Sequence, residues 1–132
     1  MALILVVDDE AEVAEAIRRV LERSGFDVAV ANGVADGLQA AQAQQPDIVV
    51  TDIIMPKANG IELIKTLREH HPRVRVIAIS GGGSFGLHAY KPDAIKTHAY
   101  LAAAREAGAQ EVLTKPFDMN DLLAAVRRQL PN

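Results

Sequence analysis

The sequence predicts an α/β protein: a five-stranded parallel sheet with helices on both faces. Short apolar runs rich in Val and Ile alternate along the chain with segments of helical period. Such runs lack the in-out alternation of a half-exposed strand, so they read as strands buried on both faces. Four of them also end in a polar or charged residue. Leu3–Val7 runs into Asp8 and Asp9, residues 47–51 into Asp52, residues 74–79 into Ser80, and residues 111–114 into Lys115. In an open parallel sheet, ligands sit outside the carboxyl ends of the strands. Three carboxylates, a hydroxyl and an ammonium are thus expected at one small site.

The elements follow in order. The segment 10–23 places Val13, Ile17, Val20 and Leu21 on one helical face, and Ser24-Gly25 stops it. Asp27–Ala31 is a short alternating strand. Val34–Gln44 is an Ala-rich helix closed by Pro46. The segment 59–70 begins after Pro56, turns Ile61, Ile64 and Leu67 inward, and ends before Pro72. Residues 93–107 form a further Ala-rich helix ending at Gly108. The last helix takes Asp118 as N-cap and presents Leu122, Leu123, Val126 and Leu130. Five strands alternating with five helices imply βαβ units and a two-sided parallel sheet.

Composition bounds the function. The chain of 132 residues, 49% apolar and 23% charged, is expected to form one globular domain over 1–132. A net charge of −3 and the lack of a basic stripe argue against nucleic acid or an anionic membrane as direct partner. Zero cysteines exclude disulfides and thiolate metal sites and suit a cytoplasmic location. The N-terminus enters strand-like sequence at once, so no export signal is expected, and no apolar run reaches the ~20 residues of a membrane helix.

The strand-end residues carry the chemistry. An isolated Asp at a strand end often does no more than cap the next helix. Three converging carboxylates are different, because unit charges ~4 Å apart repel by ~4 kcal/mol at an effective dielectric of 20. A hard cation with oxygen ligands, most reasonably Mg²⁺, relieves that repulsion and leaves positions open for phosphate oxygens. Asp52 is then the candidate nucleophile, since carboxylates form acyl phosphates. Ser80 and Lys115 are candidates to contact phosphoryl oxygens. Alone, each would read as a structural loop residue. Asp52 leads through Pro56 to Gly60 in what reads as a rigid turn before a helix, and Lys115-Pro116 is a candidate cis peptide aiming the ammonium inward.

The segments VVDDE, TDIIMPKANGIEL, VIAISG and VLTKPF, in this order and spacing, resemble the receiver domain of two-component response regulators, and the resemblance spans essentially the whole chain. It implies a (βα)5 flavodoxin-like, doubly wound fold with strand order 2-1-3-4-5. It further implies that Asp52 accepts a phosphoryl group from a phosphohistidine on a histidine kinase or histidine phosphotransfer protein. By the same resemblance, Asp9, Asp52 and the backbone carbonyl of Ile54 hold Mg²⁺, with Asp8 nearby or acting through water. Ser80 and Lys115 contact the phosphoryl oxygens. Output would pass to a downstream protein target by direct contact, in a stand-alone signalling module.

The chain departs from the family pattern twice. Val112 stands three residues before the lysine, where most receivers carry Tyr or Phe, so the usual aromatic switch does not carry over. The loop after the fourth strand, 81–97, is also longer than usual, and is expected to reorganise around Ser80 with Phe85, Tyr90 and Tyr100 supplying new contact area. Its GGGSFG segment matches G-x-G-x-x-G, but it follows the fourth strand and too little chain remains for a dinucleotide fold. His70, His71, His88 and His98 lack metal-ligand spacing. A Mg²⁺-dependent aspartyl-phosphate hydrolase is the alternative reading. Such an enzyme needs a general acid near its nucleophile, and Ile54 occupies the position two after Asp52. An enzyme is therefore not expected beyond self-catalysed phosphotransfer and slow self-dephosphorylation.

Overall fold

A computed structural model of the chain describes residues 2–55, 58–80, 102–114 and 117–130. The sheet has five parallel strands: β1 (Leu3–Val7), β2 (Asp27–Ala31), β3 (Ile48–Asp52), β4 (Arg75–Ser80) and β5 (Glu111–Thr114). They lie in the order 2-1-3-4-5, the order that the family resemblance implies. Between them run helices α1 (Ala11–Arg23), α2 (Val34–Gln44) and α3 (Gly60–His70), then a helical stretch α4 over 102–107, and α5 (Met119–Gln129) closes the chain.

Alternation along β1 divides the core in two. Leu5 and Val7 join Leu63, Ile64 and Leu67 of α3 and Ala104 of α4 on one face. Ile4 and Val6 point the other way, to Ile17 and Leu21 of α1 and Leu122 and Val126 of α5. All are essentially buried. Each such side chain contributes about 1.5–3 kcal/mol of transfer free energy, so both faces of the central strands must be covered, while β2 at the sheet edge leaves Asp27 and Val30 exposed.

Helix ends are set by local chemistry. Gly25, past the end of α1, has φ 97, and Gly108 ends α4 with φ 124, a region in which an L side chain is strained. The end of α2 differs from that pattern. Gln45, not a glycine, takes the left-handed conformation at φ 49, and Pro46 prevents continuation. Asp118 caps α5 by accepting from the Asn120 amide at 2.9 Å.

Several boundaries move by one residue. Strands β3 and β4 include Asp52 and Ser80 as their last residues instead of stopping before them. Helix α3 starts at Gly60, because Asn59 belongs to a short antiparallel ladder in which Ile54 pairs with Asn59 and Met55 with Ala58. The expected loop 81–97, with Phe85 and Tyr90, lies outside the described residues, as do Tyr100, His88, His98 and the Lys115-Pro116 bond.

Candidate functional site

At the carboxyl edge of the sheet the chain leaves β1 and β3 side by side. Val7 pairs with Thr51, so Asp8 and Asp52 follow from adjacent strand ends. One carboxylate oxygen each from Asp8, Asp9 and Asp52 lies within 4.8 Å of the others. Asp8 and Asp52 are 1% and 3% exposed, whereas Asp9 faces solvent. Two buried acids and one exposed acid around a common point form an open, oxygen-only donor set. That suits a hard divalent cation which keeps some of its water.

Asp8 does two things. Its Oδ1 accepts from the Glu10 amide at 2.9 Å, a side-chain turn that steers the chain into α1, whose N-cap Glu10 makes no side-chain cap of its own. Its amide donates to the Ala31 carbonyl at 3.1 Å, extending the β1–β2 ladder by one bond. The capping and the ligand readings of this residue therefore coexist.

Ser80 ends β4, beside β3. Asp52 pairs with Ile79, which places Ser80 one step beyond the acid on the neighbouring strand. The Ser80 hydroxyl is fully buried and Oγ has no hydrogen-bond partner among the described residues. A buried hydroxyl without a partner loses about 1–3 kcal/mol of hydration, and a ligand oxygen brought to the strand ends would recover it. This orphaned donor, next to a hard-oxygen cluster, fits a phosphoryl group held by a cation. Lys115 lies outside the described residues. Ile54 sits in the short ladder two residues past Asp52.

The strand reading treats Thr51 only as part of a buried run. Its hydroxyl donates to the Asp52 carbonyl at 2.9 Å and is completely buried. No pattern in the sequence distinguishes that role from ordinary strand packing. A broad groove of about 1030 Å³ opens at the other end of the sheet, lined by Asp47, His71, Arg73, Arg75 and Arg128 among others. It shares no residue with the acidic cluster. Its one carboxylate accepts from the Leu3 amide at 2.9 Å, so this groove is a solvated basic face and not the centre of the chemistry.

The comparisons with known proteins agree with this geometry. The family model described as response regulator receiver domain matches residues 4–127. The chain belongs to that family. It is thus a receiver domain of the two-component type, a phosphoryl-accepting signalling module. The DNA-binding transcriptional regulator NtrC of Rhizobium meliloti is 33% identical over 98% of this chain, which spans 24% of that protein. The transcriptional regulatory protein PrrA of Mycobacterium bovis is 35% identical over 96% of the chain, which covers 49% of it. The chain thus spans between about a quarter and three fifths of the first curated relatives it matches. Among solved structures, a response regulator receiver domain protein from Clostridium thermocellum superposes with a TM-score of 0.83 at 29% identity, covering 98% of this chain and 94% of that one. The chemotaxis response regulator CheY4 of Vibrio cholerae, at 24% identity and a TM-score of 0.80, shares the fold over 98% and 99% of the two chains.

Proposed function

We propose that residues 1–132 act as one receiver domain in which Asp52 is the phosphoacceptor. The observation that carries this is the meeting of the three carboxylates with the Ser80 hydroxyl, which has no partner among the described residues, at the ends of β1, β3 and β4. An Asp52 carboxylate oxygen attacks the phosphorus of a phosphohistidine on a histidine kinase or phosphotransfer protein. The new O–P bond forms as the P–N bond breaks, and the electron pair returns to the imidazole, which leaves with a proton. The product is a mixed anhydride of carboxylate and phosphate.

Mg²⁺ held by Asp8, Asp9, Asp52 and the Ile54 backbone carbonyl would neutralise charge building up on the transferred oxygens. Ser80 donates to one phosphoryl oxygen and Lys115 pairs with another. The phosphorylated strand ends then present an altered surface to a downstream protein, without direct contact to nucleic acid or membrane. That no helix among the described residues is long and apolar enough to cross a bilayer is consistent with work in the cytoplasm. The hydrolase reading gains nothing from the site, since among the described residues the acids converging there are the proposed metal ligands and the nucleophile.

Incubation with acetyl phosphate and Mg²⁺, followed by intact-mass measurement, tests the assignment. One phosphoryl adduct is expected, absent in Asp52→Asn and abolished by EDTA. An adduct that survives Asp52→Asn, or labelling indifferent to EDTA, overturns it.

A further inference from the structure

Helix α3 starts against the very backbone that carries Asp52. A methyl group built on Gly60 would lie 2.6 Å from Ile53 Cα and 3.0 Å from the Ile53 carbonyl oxygen, and closer still to the Asp52 carbonyl oxygen. These obstacles are main chain, not the free ends of flexible side chains, so any β-carbon at residue 60 must push the strand end aside. The approach is also a grip, because the Gly60 amide donates to the Ile53 carbonyl at 3.1 Å. On the other side, the Ile53 amide donates to the Ile79 carbonyl at 2.9 Å. Ile53 is therefore held at both of its polar groups, by β4 and by the first residue of α3. The turn between them is closed by the Ile54–Asn59 and Met55–Ala58 pairs.

Gly37 and Gly33 have no such relation to the site. A methyl on Gly37 would meet the Val7 side chain at 3.0 Å, and one on Gly33 would meet nothing within 4 Å. From this contrast we propose that Gly60 is a positioning residue for phosphoryl transfer. By letting α3 close on the peptide after Asp52, it fixes the direction of the Asp52 carboxylate and of the carbonyl at Ile54. The inference rests on Asp52 being the phosphoacceptor. A site whose reacting atoms must be held to a fraction of an ångström is sensitive to a supporting backbone that moves by more than that.

Gly60→Ala is the test, with Gly33→Ala as a glycine control and Leu67→Ala, inside α3 and fully buried, as a control for lost stability alone. All are compared per folded molecule at low temperature. Gly60→Ala should slow labelling by acetyl phosphate and weaken Mg²⁺ binding by calorimetry, each by about ten- to hundredfold. In metal-free protein it should also lower hydrogen-exchange protection of the Ile53 amide. Gly33→Ala should change none of these, and Leu67→Ala should lower stability without changing Mg²⁺ affinity. If Gly60→Ala matches the wild type in Mg²⁺ affinity and labelling, or if it cannot fold in any condition, Gly60 is a requirement of the fold and no positioning residue. If the wild type itself is not labelled at Asp52, that assignment fails and takes the positioning role with it, a result the wild-type control shows directly.

Discussion

The Ile53 amide donates across 2.9 Å to the carbonyl of Ile79, the residue that pairs with Asp52 on β4. This bond ties the residue after Asp52 to the residue before Ser80. In the proposed roles, Asp52 as nucleophile and Ser80 as hydroxyl donor would benefit from that tie, because neither would need reorienting when a phosphoryl group arrives.

Ser80→Ala should therefore separate stability from chemistry. The hydroxyl has no partner among the described residues, so its removal relieves a buried donor and leaves stability within about 0.5 kcal/mol of the wild type, or slightly above it. Labelling by acetyl phosphate should slow by at least about tenfold, since a donor to the transferred oxygens is gone. Thermal melts and labelling time courses on the same preparation check both. A marked loss of stability with labelling intact would show that Ser80 is a structural residue.

Asp9→Ala should weaken Mg²⁺ binding and phosphorylation together, while metal-free protein becomes more stable. Three carboxylate oxygens within 4.8 Å of one another repel in the absence of a cation. Asp9 is the exposed member of the three, so solvent screens it and the gain should be only about 1 kcal/mol. Melts with and without Mg²⁺ decide the matter. The two proteins should cross over, the variant melting higher without the ion and lower with it. A variant that binds Mg²⁺ as tightly as the wild type removes Asp9 from the ligand set.

Much of this was legible in the sequence for a simple reason. Buried parallel strands must be apolar on both sides, so Asp8, Asp52 and Ser80 stand out where those runs stop. What was not legible depends on backbone geometry. The Asp47 side chain accepts from the Leu3 amide just before β3, a long-range bond that no local pattern encodes. The ladder at Ile54 and Asn59 spans two residues a side, too short for any periodicity. Gln45 adopts a left-handed φ usually associated with glycine, and only the following proline marks the helix end. The part played by Gly60 is a matter of interatomic distance, invisible until the chain has folded.

Asp118→Ala tests a feature that sequence and structure share. The Asp118 carboxylate accepts from the Asn120 amide at 2.9 Å and satisfies one otherwise unpaired donor at the start of α5. Loss of an N-cap of this kind costs about 1 kcal/mol, which for a chain of this size lowers Tm by roughly 4 °C. Asn, which also caps well, should restore most of it. If Ala and Asn variants melt together at the wild-type temperature, the cap contributes nothing.

Glu111 ties the start of β5 to the end of α5, and its stabilisation should depend on pH in a definite direction. Both of its oxygens accept from Arg128 Nε at 3.1 Å, and Gln129 Nε2 donates at 2.7 Å. Partial burial pushes the carboxyl pKa up, but the hydrogen bonds from Arg128 and Gln129 outweigh it and hold the group below its ordinary value of 4.5. Because the folded-state value is depressed, the unfolded chain binds the proton more readily. The contribution is fully present above the ordinary value and is lost as pH falls through the folded one. Glu111→Gln should melt lower than the wild type near neutral pH, by an amount reflecting about 1 kcal/mol. The gap should close on acidification through the depressed folded-state value, as the wild-type carboxylate takes up its proton. Arg128 is largely exposed, so added salt should narrow the neutral-pH gap. Melting curves for both proteins across this range are the measurement. A gap that stays constant from neutral to acid pH would show that packing of the side chain, and not its charge, holds β5 to α5.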